Sequence, residues 1–164
     1  MIRAKRLVAS CKIHGSEQGI RKYFVTTAED RPLVVQFCGH NPSEIAEAAK
    51  LVRSMCDAID INLGCPQKCA KDEKFGSFLL DEPKIIEDIF KALQSANLSV
   101  PVFAKIRISQ TLSETMNIVR LLEKYGVSLI TVHGRRKERE FHTKPADLDI
   151  IKQIKQLATV PIIC

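Results

Sequence analysis

The sequence predicts an α/β fold in which parallel strands alternate with helices. Five short apolar segments recur along the 164 residues, and an amphipathic segment separates each one from the next. The apolar segments are nearly continuous in apolar character, as strands are when helices cover a parallel sheet. A strand followed by a helix, repeated along a chain, is typical of β-α units.

The predicted strands are the apolar segments themselves. They cover residues 32–38, 58–63, 100–108, 129–133 and 160–164. The second repeat is longer than the others, and its additional residues lie at 64–80. A connection of that length in a compact domain is usually functional or disordered.

The predicted helices fill the segments between the strands. They cover residues 41–56, 111–124 and 147–158, with a further helix from residue 81. The first has a clear start signal, because Asn41 can cap it and Pro42 suits its first position. Residues 1–31 show a weak helical pattern around residues 17–24 and no convincing strand. Such a chain fits either an open doubly wound sheet or part of a (β/α)8 barrel, which needs about 250 residues.

The composition is that of one globular domain. Hydrophobic residues make up 45% of the chain and charged residues 27%, which excludes a disordered or fibrous protein. An integral membrane protein is excluded because no run approaches the ~20 apolar residues of a spanning helix. The six cysteines are too few for a disulfide scaffold and predict an intracellular location, with the cytoplasm or nucleus favoured over the mitochondrion. The net charge of +6 permits an anionic partner.

Polar side chains lie at the ends of four successive predicted strands. They are Gln36, Asn62 with Cys65, Lys105 with Arg107, and His133 with Arg135. In parallel β-α folds the ligand site lies beyond the carboxyl ends of the strands. We therefore expect these side chains to converge on one rim and to form a binding or catalytic site.

Lys105 and Arg107 occupy an otherwise apolar segment, VFAKIRI. Residues two apart on a strand point to the same side, so the two cations share a face. A cation in such a strand is costly unless an anion accompanies it, and this strand contains no carboxylate. The anion is either a bound ligand or a protein acid, for which Asp60 on the preceding strand is the obvious candidate.

Cys65 lies in a turn between Gly64 and Pro66. The glycine relaxes the backbone where the strand ends and the proline fixes the turn, which places the sulfur on the rim. Nucleophile, metal ligand and general acid are all open roles for this thiol. A zinc site with Cys69 is disfavoured, because one C-x3-C without a second pair is a weak pattern.

Residues 135–140, after His133, carry charges of both signs. Such a run is usually a solvated loop, although it would meet backbone phosphates if the rim binds nucleic acid. The glycine patterns of dinucleotide and ATP sites are absent from the sequence.

Five ordered segments resemble the tRNA-dihydrouridine synthase family. They are VVQFCG (34–39), DINLGCPQKCA (60–70), KFGSFLLDEP (74–83), VPVFAKIR (100–107) and TVHGRRKE (131–138). The string DINLGCPQ followed by FGSFLL is most similar to the eukaryotic tRNA-dihydrouridine(16/17) synthases. The resemblance covers nearly the whole chain.

The resemblance implies a fold, a reaction and a set of site residues. The fold would be a partial (β/α)8 TIM barrel with about five parallel strands, and the reaction would be FMN-dependent reduction of uridine in the tRNA D-loop with NADPH. Cys65 would be the catalytic general acid that protonates C5 of uracil. The residues that contact FMN would be Gln36, Lys105 and His133. The residues that contact the substrate would be Asn62, Arg107 and Arg135. The implied partner is tRNA, without a membrane or a metal.

The resemblance also predicts which part of the barrel the chain forms. Residues 1–164 would run from the end of the second barrel strand into the seventh, without the first strand, the last strand and the helical tRNA-binding domain. The sequence leaves open whether a second polypeptide completes the barrel. The alternatives are a non-catalytic remnant with at most weak RNA binding, and another FMN barrel such as a dihydroorotate dehydrogenase.

One loop residue departs from the family pattern. The family usually has a glycine at the position of Glu73, shortly before the aromatic Phe75. Because glycine adopts φ values that glutamate adopts poorly, we expect a different backbone at this point of the loop.

Overall fold

The strands form one parallel sheet. The structure is a computed structural model that describes residues 1–138 and 143–164. In this part of the chain the strands are β1 (Ile2–Arg3), β2 (Val34–Cys38), β3 (Ala58–Leu63), β4 (Val102–Arg107), β5 (Leu129–His133) and β6 (Ile162–Ile163). Each strand pairs with the next one along the chain. This sequential order is that of a barrel segment, because an open doubly wound sheet reverses its strand order.

The predicted helices are present, and three of them have a side-chain cap at their start. The helices are α1 (Ala4–His14), α2 (Ser16–Arg21), α3 (Pro42–Val52), α4 (Lys68–Asp72), α5 (Pro83–Ser95), α6 (Leu112–Lys124) and α7 (Leu148–Leu157), with a 3-10 helix at Gly76–Asp81. Asn41 caps α3, Thr111 and Glu114 form a capping box on α6, and Asp147 caps α7. The predicted helix starts at residues 41, 111 and 147 are therefore confirmed.

The prediction that α3 runs to about Cys56 is wrong, because the helix ends at Val52. The carbonyl of Val52 accepts from the backbone N–H of Met55 at 2.8 Å and from the thiol of Cys56 at 3.4 Å. These bonds close a turn and let the chain reverse into β3, which begins at Ala58. Tertiary connection rather than helix propensity sets this end.

The N-terminal segment contains more structure than the sequence predicts. The expectation of no strand in residues 1–31 is wrong, because Ile2 and Arg3 pair with Phe37 and Cys38 of β2. This short strand lies within no apolar run that periodicity would detect, although the resemblance placed the end of a barrel strand here. The helix α1 buries Leu7 and Val8 against the core and was not predicted, whereas α2 coincides with the weak pattern around residues 17–24.

The register of the sheet separates its side chains into two faces. On one face, apolar residues such as Phe37, Ile61, Ile106 and Val132 are fully buried in the main core with the helices. The other face, here called the inner face, carries the polar side chains Gln36, Asp60, Asn62, Lys105, Arg107 and His133. In-register partners of parallel strands point to the same side, so this polar set is a direct consequence of the pairing.

The long connection at residues 64–80 is ordered. It contains α4 and the start of the 3-10 helix, and its Phe75 forms a small buried apolar cluster with Cys38 and Ala70. The segment therefore covers one end of the inner face. Of the helices within the described residues, none has the length and apolar character needed to cross a membrane.

Candidate active site

The register places the predicted site residues side by side on the inner face. Gln36 is the in-register partner of Asp60, Asn62 of Lys105, and Arg107 of His133. Cys65 and Arg135 follow directly after β3 and β5. The expected convergence of polar side chains is thus present, although their chemical roles remain predictions.

A continuous set of hydrogen bonds crosses the inner face from β2 to β3. The Nε2 group of Gln36 donates to Oδ2 of Asp60 at 2.6 Å. The Nδ2 group of Asn62 donates to Oε1 of Gln36 at 3.1 Å. These bonds fix the orientation of both side-chain amides, since each presents its N–H to one neighbour and its oxygen to another.

Hydrogen bonds hold the turn that contains Cys65. Both backbone N–H groups and both carbonyls of Gly64 and Cys65 take part in them. Oδ1 of Asn62 accepts from the N–H of Gly64 at 3.2 Å and from the N–H of Cys65 at 3.0 Å. Nε of Arg107 donates to the carbonyl of Gly64 at 2.7 Å. The hydroxyl and the N–H of Ser77 both donate to the carbonyl of Cys65, each at 3.0 Å. The thiol is therefore carried by a turn whose backbone is fixed by hydrogen bonds, which is what a group acting at one defined atom needs.

Gly76 allows the long loop to approach this turn. Its φ is +68°, in the left-handed region, and a Cβ built on it lies 2.6 Å from the carbonyl oxygen of Cys65. The adjacent Ser77 is fully buried. The loop and the Cys65 turn consequently form one packed unit that admits no side chain at residue 76.

We expect Gly76→Ala to destabilise the chain by about 3 to 5 kcal/mol, because the new methyl group meets backbone that cannot move freely. The free energy of unfolding in urea measures the effect. Gly126→Ala is the matched control, since Gly126 also has a left-handed φ but its nearest atom lies 4.0 Å away. The control should cost only roughly 1–2 kcal/mol. Equal losses in the two variants would contradict the close approach at residue 76.

Lys105 presents an uncompensated cation to the inner face. Among the described residues, none forms an ion pair or a hydrogen bond with its ammonium group. Asp60, the protein acid considered as its partner, instead accepts its bond from Gln36 and forms no ion pair with Lys105, although the nearby Lys105 charge acts to lower the pKa of Asp60. A cation held in this way favours an anionic ligand on the inner face.

The two arginines at the rim have different surroundings. Arg107 donates through Nε to Gly64 and through Nη1 to the carbonyl of Arg136 at 3.1 Å, so it joins the Cys65 turn to the loop after β5. Burial, together with the neighbouring Arg135, lowers the pKa of Arg107. Nε of Arg135 is buried with no hydrogen-bond partner in the part of the chain that the structure describes. Residues 139 and 140 of the predicted charged loop lie outside the described residues.

Burial lowers the pKa of His133 below its ordinary value of 6.5, and the cations Arg107, Lys105 and Arg135 lower it further. The imidazole is therefore neutral at neutral pH. Since the unfolded chain takes up the proton more readily than the folded one, the stability that His133 contributes is complete above about pH 6.5 and is lost as the pH falls through the lower folded pKa.

We expect His133→Gln to reduce the loss of stability between about pH 7.5 and about pH 5.5. Urea unfolding at the two pH values measures it in the parent chain and in the variant. His14→Gln, at the exposed end of α1, is the control and should leave the parent pH dependence unchanged. If the free energy of unfolding depends on pH identically in His133→Gln and in the parent, His133 is not the cause of this pH dependence.

A metal centre receives no support from the cysteines near the turn. Within residues 1–138 and 143–164, the structure contains no group of three His, Cys, Asp or Glu side chains suited to a metal ion. Burial raises the pKa of the Cys38 thiol to about 11, so this neighbouring cysteine stays protonated at neutral pH. Cys69 donates its thiol hydrogen to Oε1 of Gln67 at 3.7 Å.

Sequence comparison assigns the whole chain to one family. The profile of the family described as "Dihydrouridine synthase (Dus)" matches residues 2–164. The chain belongs to the dihydrouridine synthase family. The resemblance drawn from the five segments is thereby confirmed, and the parallel barrel segment agrees with it.

The chain matches a different share of the length of each relative in the dihydrouridine synthase family. It is 43% identical to the tRNA-dihydrouridine(16/17) synthase of Schizosaccharomyces pombe over 80% of the chain and 33% of that protein. It is 38% identical to the human tRNA-dihydrouridine(20a/20b) synthase-like protein over 99% of the chain and 50% of that protein. The chain therefore spans between a third and a half of the length of these relatives.

A likeness to solved structures concerns the fold. An isomerase from Streptomyces coelicolor A3(2) superposes with a TM-score of 0.50 over 81% of the chain and 33% of that protein, at 15% sequence identity. This agreement supports the parallel α/β architecture and carries no information about the reaction.

At Glu73, where the chain departs from the family pattern, the backbone does not take a left-handed φ. Glu73 has an ordinary φ of −93°, and the left-handed conformations fall on Lys74 and Gly76. The carboxylate of Glu73 pairs with Arg3 of β1 at 2.7 Å. The loop backbone at residue 73 thus suits a glutamate, and the expectation that it differs from the family's backbone at this point stays a prediction.

Two parts of the site were not predicted from the sequence. The bond from Gln36 to Asp60 joins different strands, although the spacing of Asp60 and Asn62 already placed both on one face. The contact of Ser77 with Cys65 depends on the path of an irregular loop, and no periodicity in the sequence signals it.

Proposed function

We propose that this chain forms part of the catalytic barrel of an FMN-dependent tRNA-dihydrouridine synthase, which reduces uridine in the tRNA D-loop with NADPH. The observation that carries the proposal is the rigid Cys65 turn beside the uncompensated Lys105 on one face of a barrel segment. Relatives named tRNA-dihydrouridine synthases, with NAD(P)(+) in their names, support the substrate and the electron donor.

The inner face fits a flavin. A reduced flavin is anionic near N1, and Lys105 supplies a cation that forms no ion pair or hydrogen bond with a described residue. His133 is neutral and can donate or accept a hydrogen bond, in keeping with its predicted contact with FMN. Gln36 already bonds to Asp60 and Asn62, but its amide retains one N–H and one lone pair for a ligand.

Cys65 would act as the proton donor. When bound, FMN supplies the hydride that reduces the uracil ring at C6, with NADPH as the electron source. Cys65 would deliver the proton to C5, and the fixed turn would hold its sulfur at one position throughout. Arg107 and Asn62 keep that turn in place, and Arg135 would contact the substrate from the loop after β5.

The rim beside Cys65 offers a surface for RNA. A cleft of about 440 Å³ is lined by Pro66, Gln67, Lys68, Lys71 and Phe78, together with Lys137 and Glu138. Chemistry at C5 and C6 requires the base to leave its stack. We propose that the exposed lysines of α4 meet RNA phosphates near the extruded base.

We expect the double variant Lys68→Glu, Lys71→Glu to weaken tRNA binding by roughly tenfold or more and to flatten its salt dependence. Filter binding or anisotropy at several salt concentrations measures both effects. The control variant Lys152→Glu, Lys155→Glu changes the same charge on exposed positions of α7 and should have a small effect. Equal weakening in both variants would indicate a general charge effect and would remove the cleft from the RNA path.

A non-catalytic role with at most weak RNA binding is the second candidate for residues 1–164, which span a third of the first relative. The deciding experiment records the flavin absorption of the purified chain and its thermal melt with and without added FMN. Bound flavin, a higher melting temperature with FMN and dihydrouridine formation in tRNA support the enzyme. A folded chain that neither retains flavin nor reduces tRNA supports the second candidate.

All six cysteines are free thiols, which suits the proposed reducing compartment, the cytoplasm or the nucleus.

A further inference from the structure

Asp60 is a buried acid for which neither the fold nor the proposed reaction supplies a role. Its exposed fraction is 7%, and among the buried polar residues of the described segments it is the one with an ionisable carboxyl. Oδ1 of Asp60 has no hydrogen-bond partner within those segments, whereas Oδ2 accepts from Gln36. A buried carboxylate is a costly group unless its surroundings compensate it, so its presence here calls for a role.

Asp60 stands at the beginning of the hydrogen bonds that end on Cys65. A carboxylate accepts hydrogen bonds and does not donate, so Gln36 must turn its Nε2 group toward Asp60. The oxygen of Gln36 is then an acceptor for Nδ2 of Asn62. Asn62 is left with its oxygen toward the turn, where the N–H groups of Gly64 and Cys65 need an acceptor.

We propose that Asp60 is a positioning residue for Cys65, acting through the ordered hydrogen bonds of Gln36 and Asn62. The acid sets the direction of the whole series. With a neutral amide at residue 60, Gln36 and Asn62 can both reverse, and a reversed Asn62 would point N–H groups at the N–H groups of the turn. Cys65 would then lose the acceptor that fixes its backbone.

The surroundings of Asp60 are consistent with an ionised acid held for this purpose. Burial raises the pKa of the Asp60 carboxyl, but the hydrogen bond from Gln36 and the nearby Lys105 cation both act against that rise. The Lys105 charge thus supports the acid from β4 without forming an ion pair with it. The catalytic meaning of the inference depends on the proposed function, whereas the positioning itself does not.

The test uses amide hydrogen exchange of the full 164-residue chain, read on the peptide that contains Gly64 and Cys65. In the parent chain these amides should be protected, and in Asp60→Asn they should exchange about tenfold faster or more, because their acceptor is lost. The matched control is Asp57→Asn, which makes the same change at the other end of β3, where Asp57 accepts from the N–H of Leu33. It should leave the exchange of Gly64 and Cys65 unchanged.

A second readout follows Cys65 itself. The rate at which iodoacetamide alkylates Cys65, measured by mass spectrometry, should change in Asp60→Asn and not in Asp57→Asn. Neither readout needs flavin or tRNA, so failure of the proposed enzyme activity and failure of this inference are separate results. In the flavin-loaded enzyme, Asp60→Asn should lower kcat with little change in KM for tRNA.

Several results would overturn the proposal. They are unprotected Gly64 and Cys65 amides in the parent chain, unchanged exchange in a folded Asp60→Asn variant, or an equal increase in Asp57→Asn. If Asp60→Asn does not fold, Gln36→Met is the substitute variant, because it interrupts the hydrogen bonds between Asp60 and Asn62 at the next residue. It must show the same increase in the exchange of the Gly64 and Cys65 amides. Unchanged exchange in Gln36→Met would equally overturn it.

Discussion

Replacing Cys65 with alanine is expected to lower uridine reduction by roughly 10²- to 10⁴-fold, the usual contribution of a positioned general acid. FMN content should stay at the parent level, because the turn is fixed by the backbone of residue 65 and not by its sulfur. Dihydrouridine formation in tRNA by the flavin-loaded enzyme measures the first effect, and the flavin absorption per protein measures the second.

Cys69→Ala is the matched control for this variant. Cys69 lies in α4, close to the same turn, and its thiol bonds to Gln67 of the loop and not to an inner-face residue. We expect Cys69→Ala to keep reduction within about a factor of three of the parent rate. Retained activity in Cys65→Ala would remove the general-acid role, and an equal loss in Cys69→Ala would assign the effect to the loop.

Replacing Lys105 with methionine is expected to weaken FMN binding by about 10- to 100-fold, the range for losing a hydrogen bond to a charged group. Methionine keeps the length of the side chain and removes its charge. Titration with FMN, followed by flavin fluorescence, measures the dissociation constant. The melting temperature without FMN should change little, since Lys105 makes no ion pair or hydrogen bond among the described residues and acts on Asp60 only through its nearby charge.

The stability readout separates a binding role from a structural one. A structural lysine would lower the melting temperature of the flavin-free chain on replacement, whereas an uncompensated cation would leave it unchanged or raise it. Lys152→Met, on an exposed position of α7, is the control and should leave both quantities at their parent values. Unchanged FMN affinity in Lys105→Met would exclude Lys105 from the flavin site.

From residue 32 onward, local residue patterns were enough to predict the alternation of strands with the longer helices and the positions of the polar residues within the strands. Side chains alternate along a strand, so the spacing of Lys105 and Arg107 is sufficient to place both on one face. Capping is equally local, which is why the helix starts at Asn41 and Thr111 were predicted correctly. The five family-like segments also lie within contiguous runs of residues.

Contacts between distant residues followed only from the packed fold. The two-residue strand β1 exists only through its pairing with β2, and Glu73 meets Arg3 across 70 residues of chain. The bonds from Gln36 to Asp60 and from Ser77 to Cys65 likewise depend on how separate segments are brought together. Periodicity and capping are properties of neighbouring residues, whereas a hydrogen bond between distant residues depends on the tertiary structure that holds both partners in place.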